Sequence, residues 1–349
     1  MRPAPAGKPT QPRRPAPSLQ TIRRVLPGVL LSLAVAGISI LIAQPLTTIS
    51  PLIVAIVIGV LLGNLVPLPE AIEPGHKVAA KTFLRIGIVL LGLQLVVGDI
   101  LSLGAGMIAV VVAVVALGIL GTVVMGRLLG VEKHLTLLVA CGFSICGAAA
   151  VAAASGVIDP EDEHERTTVT AVALVVLFGT IMIVALPTSA ALLGWDAHAS
   201  GLWAGASIHE VAQVVAAGGI IGGGALSGAV IVKLARVLML APVMAALNLQ
   251  HRRELAARGT SSTMPPLIPL FVVGFLVMVA VRSLLPLPTG LLDGAKLVQT
   301  ILLAAAMFAL GHGVKIKALL RTGGRPLALA ALATILVALV GLLGVALAA

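Results

Sequence analysis

The segment Ser207-Ile208-His209-Glu210-Val211-Ala212-Gln213 sets four polar side chains in an otherwise apolar stretch. A spacing of three puts Ser207, Glu210 and Gln213 along one helical face. There Glu210 can carry a proton or meet a coupling ion, and the serine and glutamine can bind a substrate or bridge neighbouring helices. His209 stands beside the carboxylate as a second titratable group. In the next apolar run Lys233 and Arg236 lie three residues apart, again on one face. They either pair with Glu210, which leaves one cation over, or compensate a bound anion, and the surplus charge favours the anion. The string Ala140-Cys141-Gly142-Phe143-Ser144-Ile145-Cys146-Gly147 holds two glycines and a serine at the centre of its segment. A helix broken there would offer Ser144 and free backbone N–H groups to an anion, while close packing through small residues accounts for the same string. Gly311-His312-Gly313 offers a second break with a group able to titrate near neutrality, and Gln94 ends the apolar run that starts at Arg85.

These groups matter because their surroundings are so apolar. Of 349 residues, 59% are hydrophobic and 10% charged, with a mean hydropathy of +1.15, against roughly 45–50% and 25% for soluble domains. Too few polar side chains exist to cover a water-soluble core, so soluble enzyme classes are excluded and the chain is an all-α polytopic membrane protein. A net charge of +10 invites a nucleic-acid reading, yet 18 of the 23 lysines and arginines fall in a tail and loops assigned to one side of a bilayer, which the positive-inside rule explains. An ionisable side chain at the bilayer centre costs about 2.5–3.5 kcal/mol on insertion scales, which marks the intramembrane residues above as site candidates. Cys141 and Cys146 have no metal-ligand or redox spacing and are expected as free thiols. His209-Glu210 opens an H-E-x-x-H-like string, but Gln213 occupies the second ligand position and only a distant His312 could replace it. No metal and no cofactor is expected.

A spanning helix takes about 20 apolar residues, and eleven segments qualify: 25–43, 50–66, 79–97, 106–126, 135–156, 167–186, 201–219, 225–247, 267–285, 295–313 and 327–348. Residues 1–24 form a Pro/Arg-rich basic tail expected to be disordered, and 25–349 form the transmembrane domain. Bases at Arg2, Lys8, Arg13, Arg14, Arg23 and Arg24, then at 77–85, 127–133, 252–258 and 315–325, are assigned to the cytoplasm. The Asp159–Arg166 loop, with five acids and one arginine, is assigned outside. The N-terminus is then inside and the C-terminus outside. The 187–200 connection strains this scheme, being cytoplasmic yet free of Lys and Arg. A re-entrant seventh segment would turn 252–258 and 315–325 outward and is rejected, so eleven crossings are expected. Beyond the first, ten spans divide into halves at about 50–186 and 200–348, a 5+5 inverted repeat with broken helices. Ser144–Gly156 and Ser207–Gly219 agree at seven of thirteen positions, but eleven crossings make them parallel, so the match is attributed partly to chance.

The strings Leu84-Arg85-Ile-Gly-Ile-Val-Leu-Leu-Gly-Leu-Gln94, Cys141-Gly-Phe-Ser-Ile-Cys-Gly147, Ser207-Ile-His-Glu-Val-Ala-Gln213 and Val232-Lys-Leu-Ala-Arg236 resemble, in this order, the YeiH family. This UPF0324 group of bacterial inner-membrane proteins is also described as sulfate exporters. The likeness runs from about residue 25 to the C-terminus. It implies a ten-helix inverted-repeat core with crossing broken helices, related to bile-acid and sodium symporters. The chain departs from the pattern in its long Pro/Arg tail and at Ala148–Ala150, where a serine is expected after Cys-Gly.

The expected function is secondary transport of a small anion, sulfate or a related sulfur oxyanion, across the inner membrane. Lys233, Arg236, Ser144, Ser207, Gln94 and Gln213 are the expected substrate contacts, with Glu210, His209 and His312 coupling a proton or sodium. The alternatives are a sodium- or proton-coupled organic-anion symporter, an intramembrane metalloprotease, or a non-transporting membrane scaffold. The bilayer is the expected environment, nucleic acid is not a partner, and a homo-oligomer is compatible with the sequence.

Overall fold

A computed structural model describes residues 19–45, 50–159, 163–257, 270–317 and 323–348. Most of the basic tail, Arg258, Arg321 and Pro160–Asp162 of the acidic loop lie outside the described residues. All described secondary structure is helical. Among the described residues, six helices are long and apolar enough to cross a membrane, by length and composition: Arg23–Ala43, Gly104–Leu128, Glu165–Leu192, Ala225–Gln250, Thr289–Gly313 and Gly324–Ala348. Shorter apolar helices lie between them.

In chain order the helices are α1 (Leu19–Ala43), α2 (Pro51–Leu65), α3 (Glu73–Val78), α4 (Leu84–Leu91), α5 (Val97–Leu101), α6 (Gly104–Leu128), α7 (Lys133–Ser144) and α8 (Ala148–Ile158). Next come α9 (Glu165–Leu192), α10 (Ala197–Ser207), α11 (Val211–Ile221), α12 (Ala225–Leu238), α13 (Leu240–Ala257), α14 (Leu270–Leu284), α15 (Thr289–Gly313) and α16 (Gly324–Ala348). A π-helical turn over Ala79–Phe83 carries α3 into α4. Where little water is available, helices need close backbone approach, and glycine supplies it. Gly59 of α2 lies against the Phe308 carbonyl of α15, and Gly201 and Gly205 of α10 against the Ala225 and Ala229 carbonyls of α12.

The chain departs from its expected path at the fifth and seventh segments. At about 1.5 Å per residue, the 12 residues of α7 and the 11 each of α8, α10 and α11 reach only about half of a ~30 Å hydrocarbon layer. Each pair folds back on itself. His134, at the start of α7, stacks on His164, the N-cap of α9, with ring centroids 4.6 Å apart, and His164 N–H donates to Asp159, the C-cap of α8. Gly223, just past the end of α11, sits against the Ala197 methyl at the start of α10. These two segments are therefore helical hairpins that enter and leave by one face. They open at opposite faces, because the long α9 joins the end of the first to the start of the second.

Contacts at the helix ends assign the faces. Lys77 pairs with Glu165 at 3.3 Å, His76 packs on His312, and Arg325 approaches Gly130. The bases of 23–24, 77–81 and 127–133, with Lys315, Lys317 and Arg325, thus gather at one face, and so does the acidic loop's Glu165, which the sequence assigns to the other. Two reversals cancel, so α13, α15 and α16 keep the orientation that the bases require. The 187–200 connection falls on the opposite face, beside Gly223, where a lack of Lys and Arg is no anomaly. Among the described residues only Arg282 and Lys296 approach that face as bases. The expected break near His312 does not form, since α15 is continuous to Gly313.

Candidate functional site

The two hairpin tips meet inside the protein. In the first, α7 ends at Ser144, Gly147 takes φ +76°, and α8 starts at Ala148. In the second, α10 ends at Ser207, and α11 starts at Val211 with Glu210 as its N-cap. Ser144 and Ser207 thus occupy equivalent places, as do Gly147 and Glu210. The seven-of-thirteen match between these strings falls on these two tips. Each serine also faces a glycine on a long helix, Ser144 on Gly118 of α6 and Ser207 on Gly341 of α16.

A helix C-terminus leaves carbonyls without intrahelical partners and carries the negative end of the dipole. Two such ends converge here, from α7 and α10. Arg236 binds both: Nη2 donates to the Phe143 carbonyl at 2.9 Å and Nε to Ser144 at 3.2 Å. Nη1 donates to the Gly205, Ala206 and Ile208 carbonyls at 3.2, 2.8 and 3.0 Å. Lys233 Nζ completes the set on the Ile145 and Ile208 carbonyls, at 2.8 and 2.9 Å. Both cations are wholly buried. The planar guanidinium spreads five contacts over both hairpins, more than the three donors of an ammonium could make.

The helix N-termini point the other way and share a carboxylate. Glu210 Oε1 accepts from the N–H of Ala148, the first residue of α8, at 3.0 Å. The same side chain accepts from the Gln213 N–H of α11, and Gln213 Oε1 accepts from the Glu210 N–H at 3.1 Å, a reciprocal capping box. Gly147 is required here, both for its left-handed φ and because a Cβ would lie 2.3 Å from Glu210 Cγ. Gly179 of α9 likewise leaves room for the Gln213 amide.

Two cavities flank this junction. One, about 360 Å³, opens at the base-rich face among Lys77, Lys81, Arg85, Glu165, His312 and Lys315. The other, about 220 Å³, reaches Glu210, Cys146, Lys296, Gln299 and Thr300 from the opposite half. Ile88 and Ala149 line both and form the partition between them. Gln299 is buried, and its Oε1 has no protein partner.

Of the residues singled out from sequence, Ser144, Ser207, His209, Glu210, Gln213, Lys233 and Arg236 gather at the tips. Glu210 alone among them lines the second cavity. Lys233 and Arg236, expected as substrate contacts, are turned to backbone carbonyls, and the alternative of an ion pair with Glu210 is not formed among these contacts. Ser144 Oγ and Ser207 Oγ are buried without partners. His209 Nε2 lies 3.1 Å from Thr334 Oγ1, and its ring packs on Phe143. His312 belongs instead to the base-rich end, against His76, so it does not complete a metal site with His209. Gln94 ends α4's 3-10 extension, next to Gly92, which packs on α14. Lys296, Gln299 and Thr300 were missed, although polar residues at i, i+3 and i+4 in an apolar helix were the available signal.

Comparison with known proteins places this architecture in a family. The model of the family described as "Conserved hypothetical protein 698" matches residues 27–330. A UPF0324 membrane protein of Corynebacterium glutamicum is 51% identical over 323 residues, covering 93% of this chain and 92% of the relative. A UPF0324 membrane protein of Pseudomonas aeruginosa is 40% identical, covering 90% and 92%. The UPF0324 membrane protein TauZ of Paracoccus pantotrophus is 35% identical, covering 92% and 95%. No solved structure matches the chain. With two opposed hairpins joined inside a bundle of apolar helices, the chain belongs to the UPF0324 family of membrane proteins.

Proposed function

We propose that this protein is a secondary transporter of a small anion, with sulfate or a related sulfur oxyanion as cargo, and that the anion binds where the N-termini of α8 and α11 meet Glu210. The observation that carries the reading is the pair of cavities from opposite halves, separated by Ile88 and Ala149 beside the hairpin junction. A small shift of that partition would connect the junction to either face in turn, as alternating access requires. Hairpins of opposite orientation support the inverted arrangement of the two halves. The concentration of bases supports a cytoplasmic assignment for the face that carries the N-terminal end of α1 and an external one for the end of α16.

The helix dipoles favour an anion. The N-termini of α8 and α11 offer two sets of N–H donors at the junction. Glu210 occupies these donors as an internal anion. Its protonation would weaken its hold on the Ala148 and Gln213 N–H groups and release them to substrate oxygens, which couples proton entry to anion binding. Lys296, Gln299 and Thr300 extend the site towards the second cavity. Lys233 and Arg236 act at one remove, by fixing both hairpin tips.

The test is radiolabelled sulfate uptake into proteoliposomes under an imposed pH gradient, comparing unmodified protein with Glu210→Gln. Gradient-driven uptake that is lost in the variant supports the site. Uptake that is equal in both removes Glu210 from the mechanism, and no uptake by folded unmodified protein removes sulfate as the cargo.

A further inference from the structure

The open base of the first hairpin carries a cluster that plays no part in transport as proposed. His134 stands in the first turn of α7, Asp159 follows the last residue of α8, and His164 precedes α9. One ligating atom from each lies within 4.8 Å of the other two. Among the described residues this is the group of histidine and carboxylate side chains close enough to share an ion.

We propose that His134, Asp159 and His164 form a binding site for a divalent transition-metal ion of the zinc class, which clamps the two stems of the first hairpin together.

Three features support it. Asp159 is buried, and backbone N–H groups fix both its oxygens: Glu163 N donates to Oδ1 at 3.0 Å and His164 N to Oδ2 at 2.8 Å. His164 Nδ1 lies 3.6 Å from Asp159 Oδ1, at the rim where a water could complete the coordination. Finally, His134 Nε2 is shut off from solvent without a partner, an orphan that a metal bond would satisfy.

Binding requires two adjustments. An ion centred in a triangle of that edge would lie at most about 2.8 Å from each ligand, so a shift of about 0.7 Å per side chain reaches zinc bonding distances. The two imidazoles, now stacked with their planes 16° apart, would tilt to aim their nitrogens at the ion. Two nitrogens and a carboxylate oxygen suit zinc, cobalt or nickel rather than calcium or magnesium. Such an ion would join α7 to the α8–α9 connection and hold the hairpin closed at the base-rich face.

Full-length protein with a histidine-free affinity tag, stripped by chelation in detergent, would be titrated with Co²⁺ and its visible absorption recorded. One Co²⁺ per chain, displaced by Zn²⁺, is expected, with binding weakened at least tenfold in His134→Gln and in His164→Ala and unchanged in His198→Ala. Zn²⁺ should also raise the melting temperature of the unmodified protein and not of the two variants, whose metal-free melting and size-exclusion profiles confirm their fold. Absence of binding to the folded unmodified protein, or binding unchanged in both variants, would overturn the proposal.

Discussion

Replacing Arg236 by methionine keeps much of the side chain's length and removes every donor. Five contacts are lost, to the carbonyls of Phe143, Ser144, Gly205, Ala206 and Ile208. An unsatisfied buried polar group costs about 1–3 kcal/mol, but the five are not additive, because Lys233 still holds Ile208 and water can follow the vacated side chain. Breaking a buried charged network by removing one partner typically costs about 3–5 kcal/mol, and we take that as the expected loss. At about 2 °C per kcal/mol, the low end for large chains, the melting temperature in detergent should fall by about 6–10 °C. Arg236→Lys should recover only part of it, since an ammonium has three donors and cannot replace five contacts made from three nitrogens of a planar fork. Lys296→Met, at the exposed rim of the second cavity, is the control and should stay within about 0.5 kcal/mol of the unmodified protein. A fall of under about 2 °C in Arg236→Met would refute the reasoning, because the converging carbonyls would then not depend on the guanidinium.

Other substitutions divide the tips by role. Gly147→Ala should cost about 2–4 kcal/mol, through a left-handed φ and a clash with the Glu210 side chain, and should lower both folded yield and melting temperature. Ser144→Ala removes a buried hydroxyl that has no partner, so thermal melting should show no loss and up to about 1 kcal/mol of gain. Glu210→Gln should keep the α11 cap through its amide oxygen, melt within a few degrees of the unmodified protein, and lose only the response of uptake to the pH gradient.

Much of the site was legible because the bilayer makes polar residues conspicuous. The tip residues from Ser207 to Gln213, the Lys233 and Arg236 pair and the Gly142 to Gly147 break stand out against their apolar surroundings. The path of the chain was less legible, since hydropathy measures apolar length and not direction. Residues 135–156 and 201–219 are as apolar as spans, and two half-helices of 11 or 12 residues sum to one crossing. The clue lay in the base-free 187–200 connection. One re-entrant segment fails to explain it, while two together satisfy every base-rich loop. The roles of Lys233 and Arg236 were hidden because their partners are backbone carbonyls, which every residue carries and no side-chain pattern reveals. His312 misled through its flanking glycines, which serve close packing on Ile56 and Val169 rather than a break.

The account rests on two hairpins entering from opposite faces, and single-cysteine labelling tests this most directly. In a Cys141→Ser, Cys146→Ser background, Glu163→Cys and His198→Cys would be labelled in sealed vesicles of known orientation with a membrane-impermeant maleimide, using Lys133→Cys as the reference for the base-rich face. Glu163→Cys should react from the same side as Lys133→Cys, and His198→Cys from the other side. Reaction of Glu163→Cys from the side opposite Lys133→Cys would mean that residues 135–156 cross the bilayer, and would contradict the account.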